Sequence, residues 1–279
     1  MDILLNRVFT AKELDSLVKY KSMKYVEKAT ERYGITSKDL ATQIKDIYAY
    51  LGNHHRNEYF YKNQLLNNIV LGRHSPNTTS ALREVPVANS IADFLVMNGK
   101  AQVYEIKTEL DTLQRLNRQI DDYYKAFSYV NVITDKKYVN KIKKIVNQDV
   151  GIFTLTNRNQ IHIERKPQLH SQNLDSKVLF KLLRKPEFEK INKEKFGELP
   201  KVGASKYYDA NYRLFSTLSV SEQQKSVTFA LKQRNLNRFK GKATLLKECP
   251  KELRELIYFS KLKDQQIETL INILKMKEG

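Results

Sequence analysis

One cysteine, Cys249, occurs in 279 residues. A lone thiol excludes an internal disulfide framework and a cysteine zinc site. Tryptophan is absent, and the nine glycines form neither a G-x-G-x-x-G nor a G-x-x-x-x-G-K pattern, which excludes an ATP-driven motor. The histidines make no metal helix either, because His54 and His55 are adjacent while His74, His162 and His170 are scattered. No apolar run approaches the ~18–20 residues of a membrane span. The opening MDILLNRVFTAKELD carries acidic Asp2 and no long apolar stretch, so a signal peptide is not expected. Acidic residues are the other shortage: 31 Asp and Glu face 49 Lys and Arg, a formal charge of +18.

What is present suits a folded chain. Hydrophobic residues make up 41% and aromatics 10%, enough to bury a core. The expectation is a soluble, cytoplasmic protein without a membrane role. An excess of positive charge spread along the whole chain points to nucleic acid, because each basic contact with a phosphate releases condensed counterions. The bland alternative is a solvated basic face.

Three segments differ in pattern. Residues 1–55 read as a helical extension. Thr10 and Glu13 fit a capping box that starts a helix running from Ala11 towards Tyr33, and Ser37 is the expected N-cap of a second helix ended by Gly52. Residues 56–166 read as an α/β core. A helix over 56–71 and a turn-rich loop precede β-like runs at 83–87 and 91–97, and Asn98-Gly99 signals a hairpin whose return strand is 101–107. A helix from about Leu110 to Phe127, a strand at 129–133, a basic helix over 135–146 and strands at 151–156 and 160–164 follow. The fold class expected is a central mixed β-sheet flanked by helices, with helical extensions on both sides. Residues 167–279 read as a basic helical region, with helices at 176–184, 219–234 and 251–276 interrupted by prolines and glycines.

Asp93 lies in the first arm of the expected hairpin, and Glu105 and Lys107 lie in the second. Residues two apart on a strand share a face, and folding about Asn98-Gly99 sets Asp93 beside residue 104 or 105. Two carboxylates and a lysine so placed suit phosphodiester hydrolysis: the carboxylates hold a hard cation such as Mg²⁺, and the lysine orients water or stabilises developing charge. The alternative is a Glu105–Lys107 ion pair on a solvated face. On the following helix, Asp111, Arg115, Gln119 and Tyr123 are spaced four apart and would form one polar column.

These residues resemble the PD-(D/E)XK nuclease superfamily, with Ala92 in place of the proline, and the order of elements is similar to its restriction-endonuclease-like core. Gln119 and Tyr123 match the Q-x-x-x-Y element of the RecB-like branch. The stretch from Asn57 to about Phe127 looks like a basic, poorly characterised bacterial single-core family of that superfamily. The resemblance implies catalysis by Asp93, Glu105, Lys107 and Gln119, and Mg²⁺ or Mn²⁺ held by Asp93, Glu105, Ile106 and Glu58. It also implies DNA ahead of RNA as substrate and a place in antiviral defence or mobile-element biology. A homodimer is open, since nucleases that cut both strands often pair.

Arg115, Tyr123, Lys206, Arg213, Arg234 and Arg238 are the expected nucleic-acid contacts. The last four come from KVGASKYYDANYRLF and LKQRNLNRFKGK, where basic and aromatic residues interleave. Charge can follow a backbone and aromatics can stack on bases, or the aromatics can pack and the charges be solvated. Tyr123 is similarly open between backbone contact and packing. Two rival functions stand beside the nuclease: a catalytically silent nucleic-acid-binding protein on the same fold, and a regulatory protein docking on an acidic partner.

Overall fold

The computed structural model describes residues 3–109 and 111–275. The chain forms two compact units. One joins the N-terminal residues up to Asn77, the segment Thr156–Ile161 and the stretch from Phe239 onward; the other comprises Thr78–Leu155 and His162–Arg238.

The second unit is built on a six-stranded mixed sheet, in the order β1-β2-β3-β4-β5-β6. The strands are β1 (Ser80–Val87), β2 (Ser90–Asn98), β3 (Lys100–Lys107), β4 (Val130–Thr134), β5 (Gly151–Leu155) and β6 (Ile161–Arg165). β1 pairs antiparallel with β2 and β2 with β3, whereas β3, β4 and β5 run parallel. Gly99 turns the β2–β3 hairpin at φ +70°, a conformation glycine adopts without strain. Every residue of β4 and β5 is buried. That matches their short apolar runs, since parallel strands are covered on both faces. The expected strands are all present to within a few residues at their ends.

Helices complete this core. Leu116, Ile120 and Phe127 pack against Val103 and Val132 of the sheet. The same core cluster includes Leu179, Phe180, Phe215, Val227 and Leu231, from the helices Ser176–Lys181, Ala204–Phe215 and Val220–Phe239. The helix expected from Leu110 begins at Leu116; Leu110 itself lies outside the described residues, as does Met276. The helices Lys185–Phe196 and Ala204–Phe215 have no counterpart among the elements expected from sequence. Pro186 sits in the first turn of the former, where a missing N–H costs nothing.

The first unit is helical. The helix expected over 11–33 is two, Ala11–Tyr20 and Lys24–Tyr33, parted at Lys21, whose φ of 56° is left-handed. Thr10 accepts from the Glu13 N–H at 3.3 Å, but the Glu13 carboxylate accepts from the Tyr25 N–H at 3.0 Å, so only half of the capping box forms. Asp39 rather than Ser37 caps the helix Leu40–His54, which runs through Gly52. The helix Glu58–Leu65 continues as a π-helix over Leu66–Arg73. Arg254–Phe259 packs on both of these, and Asp264–Lys275 on Ala11–Tyr20 and Leu40–His54. No helix among the described residues is long and apolar enough to cross a membrane.

Candidate functional site

The period of two along β3 places Glu105 and Lys107 on one face. Their side chains meet: Lys107 Nζ lies 2.7 Å from Glu105 Oε1. Both are buried, at 1% and 8% exposure. Strand β3 is anchored here by Thr134 of β4, whose hydroxyl donates to the Lys107 carbonyl at 2.8 Å.

Asp93 approaches from β2. The β2–β3 ladder ends at Phe94–Tyr104, one residue short of the position where Asp93 would face Glu105. From there the Asp93 carboxylate takes over the backbone's role, accepting the Ile106 N–H at 2.7 Å. The β1–β2 ladder also skips this level: Arg83 pairs with Phe94 and Val85 with Ala92, while Glu84 between them is left-handed at φ 54°. A non-glycine residue held there costs about 1–3 kcal/mol, and such strain gathers at functional sites. Nothing in the residues around Glu84 signals this backbone conformation, and no role was expected for it.

The helix Leu116–Tyr124 closes the cluster. Lys107 Nζ donates to Gln119 Oε1 at 3.0 Å, so two of its three protons are spent inside the site and one remains. Tyr123 is fully buried, with its hydroxyl 2.6 Å from Glu105 Oε2 and 2.7 Å from the Ile91 carbonyl. Both neighbours accept, so one phenolic proton is shared between them. Burial first, then the charge and hydrogen bond of Glu105, raise the Tyr123 pKa and keep it protonated. The carbonyl of Ile91 and the hydroxyl of Thr134 are supports that no sequence motif marks.

Asp93, Glu105, Lys107 and Gln119 are therefore brought together as expected, while other expected residues take different places. Asp111 is not in the polar helix column; its carboxylate accepts from the Thr108 N–H and hydroxyl, both at 2.7 Å, before the helix begins. Arg115 is exposed at the helix start. Tyr123 is a core residue with no surface to offer a nucleic acid. Arg234 is committed within the fold: its guanidinium holds Glu187 through bonds of 2.7 and 2.6 Å and the Leu182 carbonyl at 2.7 Å. Burial opposes the Glu187 charge, but those bonds outweigh it and hold the carboxyl below its ordinary pKa. Lys206 and Arg213 are exposed and Arg238 is half-buried. The interleaved aromatics mostly pack: Phe215 and Phe239 are buried, and Tyr207 donates to Glu189 at 2.7 Å. Glu58 belongs to the first unit, in the first turn of its helix and paired with Lys62 at 2.6 Å.

For a metal, Asp93 and Glu105 offer carboxylate oxygens, and Ile106 could add only its main-chain carbonyl. Among the described residues no group of three or more His, Cys, Asp or Glu side chains is placed to hold a metal. An all-oxygen donor set of two carboxylates suits a hard cation that keeps several waters, as Mg²⁺ does.

A family model of bacteriophage P4 protein cII matches residues 52–275. In curated sequences, protein cII of Enterobacteria phage P4 is 29% identical over 104 residues, 37% of this chain and 36% of the phage protein. The chain thus spans about a third of the length of that relative. Among solved structures, a protein of unknown function from Silicibacter pomeroyi aligns with 46% of this chain and 85% of its own, at 16% identity and a TM-score of 0.29, too slight a likeness to bear on the fold. With its match extending over most of the sequence, the chain belongs to the bacteriophage P4 protein cII family.

Proposed function

We propose that this protein is a metal-dependent nuclease of the PD-(D/E)XK kind, cutting phosphodiester bonds in DNA ahead of RNA. The observation that carries the reading is the meeting of Asp93, Glu105, Lys107 and Gln119 where the hairpin ladder breaks off. A buried ion pair is a costly way to stabilise a sheet, since desolvation offsets much of its attraction. Here it is joined to an aspartate that displaces backbone pairing and to a glutamine reaching in from the neighbouring helix.

In this reading Asp93 and Glu105 hold Mg²⁺ or Mn²⁺, which when bound activates water and offsets charge on the phosphate. The main chain fixes Asp93 through Ile106, and Tyr123 fixes Glu105. Lys107, oriented by Glu105 and Gln119, keeps one N–H to hydrogen-bond a phosphate oxygen or to position an attacking water, without transferring the proton. A family named for a bacteriophage protein supports a setting in mobile-element biology.

The test is cleavage of labelled plasmid, linear duplex, single-stranded DNA and RNA with Mg²⁺ or Mn²⁺. Asp93→Ala and Lys107→Ala are expected to reduce the rate at least about 100-fold, the scale for removing a preorganised electrostatic group, with the circular dichroism spectrum unchanged. Wild-type protein that binds these substrates and cuts none would overturn the enzyme reading in favour of a nucleic-acid-binding protein.

A further inference from the structure

The first unit contains a polar cleft of about 360 Å³ that the nuclease reading does not use. Its floor includes Tyr48 and the carboxamides of Asn67 and Asn68, and its rim carries Lys45, Arg158 and Lys251. None of the three rim cations has an ion-pair partner among the described residues. Arg254 also lines it, its guanidinium engaged with Asn67 Oδ1 at 3.1 Å and with the carbonyls of Cys249 and Lys247. Glu252 is the one carboxylate in the lining, and it is buried.

The floor is built to present a donor. Tyr48 is 5% exposed, and its hydroxyl oxygen accepts from Asn63 Nδ2 at 2.8 Å and Gln64 Nε2 at 3.1 Å. Both bonds are accepted ones, so the phenolic proton is left to give. Burial pushes its pKa upward, which keeps that proton in place. Asn67 and Asn68 are positioned by the π-helix Leu66–Arg73, a rare conformation concentrated at functional sites. Their amide nitrogens are tied to Lys251 O at 2.9 Å and Asn159 O at 3.2 Å, which draws the three parts of the chain forming this cleft into one frame.

We propose that this cleft binds a nucleoside 5′-monophosphate group, either free or at the end of a nucleic-acid strand. Unpaired cations around a buried hydroxyl donor match the several acceptor oxygens and the near-double charge of a phosphomonoester. The buried Glu252 carboxylate accepts sugar hydroxyls, as acidic residues do in other nucleotide sites. The volume lies at the small end of the ~300–1,000 Å³ range of ligand pockets, which suits one nucleotide.

The experiment is fluorescence polarisation with a 3′-labelled DNA oligonucleotide bearing either a 5′-phosphate or a 5′-hydroxyl, in the presence of EDTA so that no metal-dependent step contributes. Adenosine 5′-monophosphate and inorganic phosphate serve as competitors, and direct calorimetric titration of adenosine 5′-monophosphate supplies the free-ligand arm. For a strand end, the phosphorylated oligonucleotide binds about ten-fold tighter, a difference of about 1.4 kcal/mol. Arg158→Glu and Lys251→Glu then abolish that preference with melting temperatures unchanged, and Tyr48→Phe reduces it. For a free nucleotide, adenosine 5′-monophosphate binds with the same sensitivity to the three substitutions while the two oligonucleotides bind alike. Equal oligonucleotide affinities together with no variant-sensitive binding of the mononucleotide would overturn the proposal. Cleavage by the Asp93 and Lys107 site is read separately, so either idea can fail alone.

Discussion

Tyr123 shows how much one buried hydroxyl can hold. It is the donor for both Glu105 and the Ile91 carbonyl, so Tyr123→Phe leaves the buried Glu105 carboxylate and the Ile91 carbonyl short of a proton while the ring still fills its place. Leaving a buried polar partner unsatisfied costs about 1–3 kcal/mol. Urea unfolding of Tyr123→Phe should show a loss of that size, and an unchanged midpoint would mean that Glu105 and Ile91 need no donor there. Arg234 makes the complementary point. From its sequence neighbours it looks like part of a basic, nucleic-acid-facing stretch, yet it serves a carboxylate 47 residues away. Side-chain pairing over such a separation leaves no trace in local pattern, whereas the Glu105–Lys107 spacing is local and readable.

At the scale of elements, the sheet illustrates why close approach matters as much as burial. Gly151 opens β5 opposite Asn131 of β4, and a Cβ at this position would overlap Asn131 Oδ1 and come within 2.9 Å of the Pro167 ring. Asn131 cannot readily turn away, because its Nδ2 donates to the Val103 carbonyl at 3.0 Å and so ties β4 to β3. Gly151→Ala should therefore destabilise the protein by about 1–3 kcal/mol, the usual cost of overpacking. A thermal melt at the wild-type temperature would show that the two strands separate freely. The hairpin and the parallel strands were legible because Asn98-Gly99 and short apolar runs each have one economical reading. The helices Lys185–Phe196 and Ala204–Phe215 were not, because Pro186 and Gly203 read as interruptions when they stand at helix beginnings. The break at Lys21 was hidden for the opposite reason: lysine gives no hint of a left-handed backbone, and neither proline nor glycine stands between Ala11 and Tyr33 to mark it.

For the whole molecule, the excess of 18 positive charges is the broadest signal in the sequence, and it bears on binding rather than on fold. If the protein meets a phosphate backbone, affinity falls with salt at a logarithmic slope of about −0.9 per neutralised phosphate for duplex DNA. Lys206 and Arg213 are exposed on one helix and suited to such a role. Lys206→Glu combined with Arg213→Glu should weaken duplex binding across sequences and flatten the slope by about 1 for each phosphate that is no longer neutralised. A filter-binding titration over salt measures both quantities. A wild-type slope near zero would remove nucleic acid as the reason for the charge.

The return of the chain after Phe239 to the unit in which it began has a consequence for biosynthesis. Apart from the short segment Thr156–Ile161, the sheet-bearing unit is encoded in one stretch, so it is complete once Arg238 has left the ribosome. The helical unit is in the reverse position: Ala11–Tyr20 and Leu40–His54 are made before the sheet-bearing unit, while a helix that packs on them, Asp264–Lys275, is made after it. Until that helix emerges, the two earlier helices lack the partner that packs on them from the far side of the sheet-bearing unit in sequence. Apolar surface exposed over such an interval is what makes a nascent chain prone to aggregate.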